Sequence, residues 1–284
     1  MTAETGLEER EVKVSWTRLR EHMECHQKAA LKAKGLKSAV SDIRNYFPGT
    51  VVDVCMRRWL DREDQPPGSL AAMVDKILPE AEKDARESCD GIVRWKYPAD
   101  RSEVLENCRT CLTRLEPILR ELALPGRYEP AMRFRAALII PYLDGSPQRV
   151  WLAGEMDLLT EHAPKAFRVW DLKMTANKDY WRKVTGQLLF YDRALWCMMG
   201  VFPENCGLIQ PMCPEPVLWF QFTDQNRREL LASVVSYCRD VWLRDERPKA
   251  DVEGCPQCEV KQACAKFAAP AASGRVPWPA VTVA

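Results

Sequence analysis

The sequence predicts a mixed α/β fold, with a central mixed sheet flanked by helices and a mainly helical N-terminal part. Up to about residue 125, the chain contains long stretches with apolar residues at helical spacing. From residue 128 onward, short apolar or alternating runs indicate strands, and strand-like and helix-like segments then follow one another. This order of elements is typical of a mixed α/β core.

Four helices are predicted in the N-terminal part. They cover about residues 15–34, 49–62, 69–88 and 101–122. Ser15 is a typical N-cap residue and Gly35 a typical stop signal for the first helix. Asp100 and Glu103 have the spacing of a capping box, which predicts that the fourth helix begins after Asp100.

Antiparallel strands are predicted in the runs AMRFRAALII, RVWLAGEMDLL and FRVWDLKMT. Turn signals at Asp144-Gly145 and near Pro164 separate them. The elements expected next are a helix over about residues 178–199, strands in LIQP and VLWFQFT, and a helix from Thr223 or Asp224 to about residue 244.

These elements divide the chain into a flexible acidic N-terminal tail (residues 1–14), one domain (residues 15–267) and a Pro- and Ala-rich tail (residues 268–284). Within the domain we distinguish a mainly helical part (15–125), the sheet-bearing core (126–222) and a last helix with a cysteine cluster (223–267).

Composition and charge indicate which classes of protein the sequence can belong to. The 284 residues include 41 Lys and Arg against 40 Asp and Glu, so a nucleic acid would have to bind a local basic groove. No run of about 20 apolar residues predicts a membrane helix. The acidic N-terminus lacks the apolar core of a signal peptide, so we expect a cytoplasmic protein.

Two short segments, GEMD and DLK, bring carboxylates together. Asp157 and Asp171 each lie near the end of a predicted strand, and a hairpin between those strands would place them side by side. Adjacent carboxylates are costly unless a cation neutralises them, and oxygen ligands favour Mg²⁺ or Mn²⁺. Lys173 shares a strand face with Asp171, where its ammonium could manage an attacking water. A surface ion pair is the simpler interpretation of an isolated DxK.

The helix that follows contains Gln187 and Tyr191, which share a face at i, i+4 spacing. An amide and a phenol opening toward the carboxylates would suit the positioning of nucleic acid or water. Read alone, the helix is explained equally well by a buried tyrosine and a surface glutamine.

Together, GEMD, DLK and QLLFY resemble the GxxD, (D/E)xK and QxxxY motifs of the RecB-like branch of the PD-(D/E)XK nuclease superfamily. The resemblance implies a RecB-like nuclease core with Asp157 and Asp171 as metal ligands and Lys173 as the catalytic lysine. It also implies that Gln187 and Tyr191 belong to the site, and that Leu172 contributes its backbone carbonyl.

One position departs from that family pattern. Family members often carry a histidine ligand on an earlier helix, after a Gly-Thr-like start. The matching stretch here is GTVVD, and Asp53 stands where the histidine is expected. A carboxylate at Asp53 would still be a metal ligand, with a different geometry and metal preference.

The segment CPQCEVKQAC contains Cys255, Cys258 and Cys264 at C-x2-C-x5-C spacing. Three thiolates require a fourth ligand to hold zinc or an iron–sulfur cluster. Cys25 is the candidate, because residues 15–26 resemble the N-terminal motif of the AddB-type, CRISPR-associated and phage iron–sulfur nucleases. The resemblance thus implies a 4Fe-4S cluster that joins the N- and C-terminal segments.

A zinc site is the alternative for these cysteines. Cys108 and Cys111 form a second C-x2-C, but they lie in an amphipathic helix, where buried thiols are common. His22 and His26 flank Cys25 by about one helical turn and are the other candidate zinc ligands.

The resemblance implies a Mg²⁺- or Mn²⁺-dependent DNA exonuclease acting on single-stranded ends, with 5′ to 3′ polarity. The implied roles are in recombination, replication or CRISPR spacer processing, with partner proteins of those pathways, in a bacterial or phage-infected cell. Trp181, Arg182 and Lys183 could stack bases and hold phosphates beside the site, although a helix start with ordinary surface charge looks the same. A non-catalytic DNA-binding or CRISPR adaptation accessory protein is the alternative.

Overall fold

The computed structural model describes residues 12–25, 47–88, 98–243 and 282–283, and every structural statement below refers to these ranges. They form a mixed sheet with helices on both of its faces, which confirms the predicted fold class. None of the helices described is both long enough and apolar enough to cross a membrane.

The described helices are α1 (Trp16–Glu24), α2 (Phe47–Leu60), α3 (Val74–Ser88), α4 (Pro98–Leu122), α5 (Trp181–Met199) and α6 (Asp224–Leu243). The Ser15 side chain accepts a hydrogen bond from the backbone N–H of Arg18, as expected of the N-cap. Helix α1 ends at Glu24, earlier than predicted, because Cys25 has an extended backbone.

The predicted start of α4 was wrong. The helix begins at Pro98, so Asp100 lies inside its first turn and is not the N-cap. Proline suits the first turn because its fixed φ is helical and the first backbone N–H groups have no partner within the helix.

The strands are β1 (Lys13–Val14), β2 (Arg127–Pro141), β3 (Pro147–Ala163), β4 (Ala166–Leu172), β5 (Asn205–Ile209), β6 (Val217–Gln221) and β7 (Thr282–Val283). Their order in the sheet is β1-β3-β4-β5-β6-β7, and β2 pairs with β3. The pairs β1–β3 and β4–β5 are parallel, whereas the other pairs are antiparallel.

Two short strands lie in segments predicted as tails. Val14 of β1 is fully buried beside Leu152, so the predicted tail boundary at residue 14 falls inside the sheet. Thr282 of β7 pairs with Gln221. A two-residue strand is too short to show periodicity, so its partner strand, and not its own pattern, determines its conformation.

Two hydrophobic cores lie on opposite faces of the sheet. The first core packs α1, α5 and α6 on the sheet, and the second core packs α2, α3 and α4. Neighbouring residues of β4 point to opposite cores, Val169 to the first and Trp170 to the second. Trp170 packs tightly over Gly207 of β5, where an added Cβ would lie 2.3 Å from the indole ring.

The β2–β3 hairpin exchanges its buried face at Asp157. Met156 packs in the first core and Leu158 in the second, although alternate residues of a regular strand share a face. Ala131, opposite Asp157 in the register, has φ 54°, and the strand pairing is interrupted there. This uncommon conformation for a residue with a side chain places Asp157 at the crossing between the two cores.

Candidate active site

Asp157, Asp171 and Lys173 meet where the antiparallel strands β3 and β4 lie side by side. The Nζ atom of Lys173 is 2.7 Å from Oδ2 of Asp171 and 3.7 Å from Oδ2 of Asp157. The backbone N–H of Leu172 donates a hydrogen bond of 2.7 Å to Oδ2 of Asp157. The structure therefore brings the predicted carboxylates and lysine into one cluster.

Burial dominates the electrostatics of this cluster. Asp171 is fully buried, and burial raises its pKa; repulsion from Asp157 adds to the rise and attraction to Lys173 opposes it. Burial disfavours the ammonium form of Lys173, but attraction to Asp171 and Asp157 outweighs it and raises the pKa of Lys173. Lys173 is therefore held as a cation at neutral pH.

The cluster opens into a cleft of about 900 Å³ between α2, α4 and the segment that follows β4. Four of the predicted site residues line it: Asp53, Asp157, Leu172 and Lys173. Tyr180 lines the cleft as well, beside residues of α4. The N-terminal helices thus form one wall of the site, as the prediction for Asp53 requires.

Asp53 is held by a basic partner that the sequence analysis did not identify. Its Oδ2 atom lies 2.6 Å from the guanidinium of Arg57, and Arg57 also forms an ion pair with Glu155. Nε of Arg133 is 2.9 Å from the other carboxylate oxygen of Glu155. Burial raises the pKa of Asp53 to about 6, although Arg57 opposes the rise. The i, i+4 spacing of Asp53 and Arg57 was the available signal.

The carboxylates as placed do not form a closed metal site, since no three His, Cys, Asp or Glu side chains within the described ranges are grouped to hold an ion. Asp53 and Asp171 each turn to a basic side chain instead. However, Oδ1 of Asp53 is buried without a hydrogen-bond partner, and so is Oδ1 of Asp171. Oδ2 of Asp171 is buried as well, and its contact is the ion pair with Lys173. Buried oxygens in this state are costly, so the donor set fits a hard divalent cation.

Gln187 and Tyr191 contact the strand that carries Asp157. Tyr191 Oη donates a hydrogen bond of 2.7 Å to the backbone oxygen of Glu155, and Gln187 Nε2 donates one of 2.6 Å to Tyr191 Oη. Tyr191 is buried, with its ring edge-on to Phe134. These contacts suggest that the pair positions β3, which differs from the expected direct role toward nucleic acid or water.

The predicted DNA-binding residues lie in the first turn of α5. Arg182 and Lys183 are exposed, and their cationic groups lie over the rings of Trp181 and Tyr180 at 5.4 and 5.6 Å from the centroids. Trp181 packs against the first core. Tyr180, one residue earlier, is the aromatic residue of this group that lines the cleft.

Of the four predicted cluster cysteines, the structure describes Cys25, at the C-cap of α1. Cys255, Cys258 and Cys264 lie outside the described residues, so the iron–sulfur cluster stays a prediction. His26 also lies outside them, and Nε2 of His22 is 2.8 Å from Oδ2 of Asp240.

Cys108 and Cys111, the alternative zinc ligands, are buried in the second core. Burial raises the pKa of each thiol to about 12. A thiol that resists ionisation is a poor metal ligand, so both behave as core residues.

Comparison with known proteins identifies the family of this chain. The family model described as the PD-(D/E)XK nuclease superfamily matches residues 13–265. A solved structure, "Crystal structure of SSO0001", is 14% identical, with a TM-score of 0.34, and the match covers 84% of this chain and 94% of that chain. No curated protein matches the chain. The family match extends over nearly the whole sequence, and the chain belongs to the PD-(D/E)XK nuclease superfamily.

Proposed function

We propose that this nuclease is a Mg²⁺- or Mn²⁺-dependent DNA exonuclease that hydrolyses phosphodiester bonds at single-stranded ends. Members of the superfamily generally use Mg²⁺ or Mn²⁺. The observation that carries the proposal is the cluster of Asp157, Asp171 and Lys173, of which Asp157 and Lys173 line the cleft.

Asp157, Asp171 and Asp53 would hold the cation, together with the backbone oxygen of Leu172. That oxygen accepts a hydrogen bond of 3.2 Å from Lys173 Nζ. A bound divalent cation supplies Lewis acidity, which polarises the phosphoryl oxygen and stabilises the leaving group. The paired strands β3 and β4 fix the backbone positions of Asp157 and Asp171, so these two carboxylates would hold the cation in a defined place.

Lys173 would orient the attacking water and stabilise negative charge as it develops. Asp171 and Asp157 raise the pKa of Lys173 in the metal-free structure, so its side chain is a hydrogen-bond donor there at neutral pH. Asp171 holds the ammonium at 2.7 Å, which fixes the direction of its remaining N–H groups.

The cleft of about 900 Å³ is large enough to hold part of a nucleic-acid strand. Exonuclease action on single-stranded ends is proposed from the family resemblance. The 5′ to 3′ polarity rests on the family resemblance alone. So do a role in recombination, replication or CRISPR spacer processing, a phage origin, protein partners of those pathways and a cytoplasmic location.

The test is cleavage of end-labelled single- and double-stranded DNA in Mg²⁺, Mn²⁺ or EDTA. We expect the label to be released from single strands in either metal and not in EDTA. Lys173→Ala should abolish this release, whereas Lys178→Ala, an exposed lysine in the same loop, should not. A wild-type rate for Lys173→Ala would mean that the assigned site is wrong. Binding of DNA without cleavage by the wild type would support the non-catalytic alternative.

We further propose that Cys25, Cys255, Cys258 and Cys264 hold a 4Fe-4S cluster that joins the two ends of the domain. The support is their C-x2-C-x5-C spacing, together with the early cysteine of the resembling family. Cys25 is only partly buried and lies at the end of α1.

A further inference from the structure

The outer arm of the β2–β3 hairpin, residues 132–156, concentrates positive charge on its outward face. Alternate residues such as Phe134, Leu152 and Met156 are buried, so the residues between them point away from the first core. The outward basic residues are Arg133, Arg135 and Arg149, joined by Lys13 of the neighbouring strand β1. The whole chain has a net charge of only +1, so this face is a local accumulation of charge.

The two described strands of the arm carry more outward basic residues than outward carboxylates. On the two described strands of the arm, Glu155 is the one outward carboxylate, and it is already shared between Arg133 and Arg57. The Arg133 side chain is 85% exposed even so. An excess of cations on an exposed surface favours a polyanionic partner.

Trp151 lies at the centre of the basic residues. It is the direct register partner of Lys13 in β1 and of Ala137 in β2. The guanidinium carbons of Arg135 and Arg149 lie 4.4 and 6.0 Å from the centroid of its ring. An aromatic ring among cations is the combination that single-stranded nucleic acids recognise, because bases stack on the ring and phosphates contact the cations.

This face is continuous with the active site. Trp151 and Asp157 are six residues apart on β3, which corresponds to about 20 Å along an extended strand. Arg57 connects the two regions, since it contacts Asp53 in the cleft and Glu155 on the hairpin. A strand whose end lies in the cleft could therefore continue along the arm.

We infer that the outward face of the β2–β3 arm binds the single strand whose end is being cleaved. Lys13, Arg133 and Arg149 contact its phosphates, and Trp151 stacks on a base. This inference rests on the proposed function, because it assigns a track to the same substrate.

The experiment measures binding of fluorescent oligothymidine by anisotropy in EDTA, over a series of salt concentrations. One oligonucleotide is long enough to span the cleft and the arm, and the other fits the cleft alone. The variants are Arg149→Glu and Trp151→Ala. The control is Arg228→Glu, an exposed arginine on α6, which packs on the opposite face of the sheet. Melting temperatures show whether each variant is folded.

Arg149→Glu should weaken binding of the long oligonucleotide and reduce the slope of log affinity against log salt by about 0.7 for each phosphate that the variant no longer binds. Trp151→Ala should weaken it by about 5- to 150-fold, the range for one stacked base. Binding of the short oligonucleotide should be unchanged. Since Arg149 is exposed, its variant tests the inference even if Trp151→Ala fails to fold.

If Arg149→Glu binds the long strand like Arg228→Glu, at the same salt slope, the track is wrong while the nuclease proposal stands. If the wild type neither binds nor cleaves DNA, the proposed function fails and this inference fails with it. If Arg149→Glu instead dissociates a dimer without changing DNA affinity, the face is a protein interface, which also overturns the inference.

Discussion

Tyr191 Oη is bonded to the backbone oxygen of Glu155, two residues before Asp157. The bond crosses from α5 to β3, so the helix fixes the strand that carries Asp157. Gln187, one turn earlier on α5, donates to the same hydroxyl. Gln187 and Tyr191 of the QxxxY motif thereby hold the backbone of β3 in place near Asp157.

Tyr191→Phe should reduce cleavage and lower the free energy of unfolding by about 1 kcal/mol, the net value of one hydrogen bond. The ring and its packing on Phe134 would remain, so any loss of activity or stability would be due to the missing hydroxyl. Tyr142→Phe, in the turn between β2 and β3, is the matched control. Urea unfolding and initial cleavage rates measure both effects. Equal rates for the two variants would mean that the hydroxyl does not position the site.

Asp171→Asn should reduce cleavage by on the order of 10²- to 10⁴-fold or more, because it removes a negative charge from the proposed metal site. Relative to the wild type, Asp171→Asn should also gain stability in the metal-free fold as the pH rises. The folded-state pKa of Asp171 is raised, so its contribution to stability is present at acidic pH and declines as pH rises above about 4.

Thermal unfolding in EDTA from pH 4 to pH 8 checks the prediction about stability. The melting temperature of Asp171→Asn minus that of the wild type should increase with pH. A difference that shrinks over this range would show that Lys173 stabilises the ionised carboxylate more than burial destabilises it.

Gly207→Ala should destabilise the protein by roughly 1–3 kcal/mol, the usual cost of overpacking a core. The new Cβ would lie 2.3 Å from the Trp170 ring, and the ring cannot retreat easily because it is fully buried. Gly49→Ala is the control, since a Cβ there has nothing within 4 Å. Chemical unfolding curves measure both; an unchanged midpoint for Gly207→Ala would mean that Trp170 has room to move.

The cysteine cluster predicts a brown protein that contains iron and sulfide after anaerobic purification. Cys258→Ala should give colourless, protease-sensitive protein, because loss of a structural metal removes folding free energy. Any folded fraction should still bind Mg²⁺ or Mn²⁺. Metal analysis, limited proteolysis and melting curves test this. Stoichiometric zinc without iron would favour the zinc alternative, and an unchanged melting temperature would argue against a structural role.

The regular elements could be predicted because their patterns are local. The turn at Asp144-Gly145 lies between β2 and β3 as expected, and α5 and α6 occupy the predicted segments. The strand β1 could not be predicted, since Lys13 and Val14 are extended only because β3 pairs with them. Helix starts were less certain, as Pro98 shows, because several residues near a helix start are compatible with the first turn.

The motif spacing predicted that Asp157, Asp171 and Lys173 lie together, and the structure places them in one cluster. Asp53, Asp157 and Lys173 line the same cleft. The motif spacing did not reveal the ion pairs that Arg57 forms with Asp53 and Glu155, the second of which joins residues far apart in the chain. It also placed Tyr191 toward the substrate, whereas its hydroxyl contacts the β3 backbone. The direction of the Tyr191 hydroxyl depends on where β3 passes the helix. That position is determined by the whole sheet and cannot be predicted from the sequence of the helix alone.

The positive φ of Ala131 separates the hairpin into two parts that pack in different surroundings. Residues before it pack with the helices of the second core, and the outer arm packs with the first. The arm can therefore gain or lose residue pairs at its tip without moving Asp157, because the register of the inner part is set independently. Substrate reach and catalytic geometry can change separately in such a hairpin, whereas a single-residue insertion beside Ala131 would disturb both.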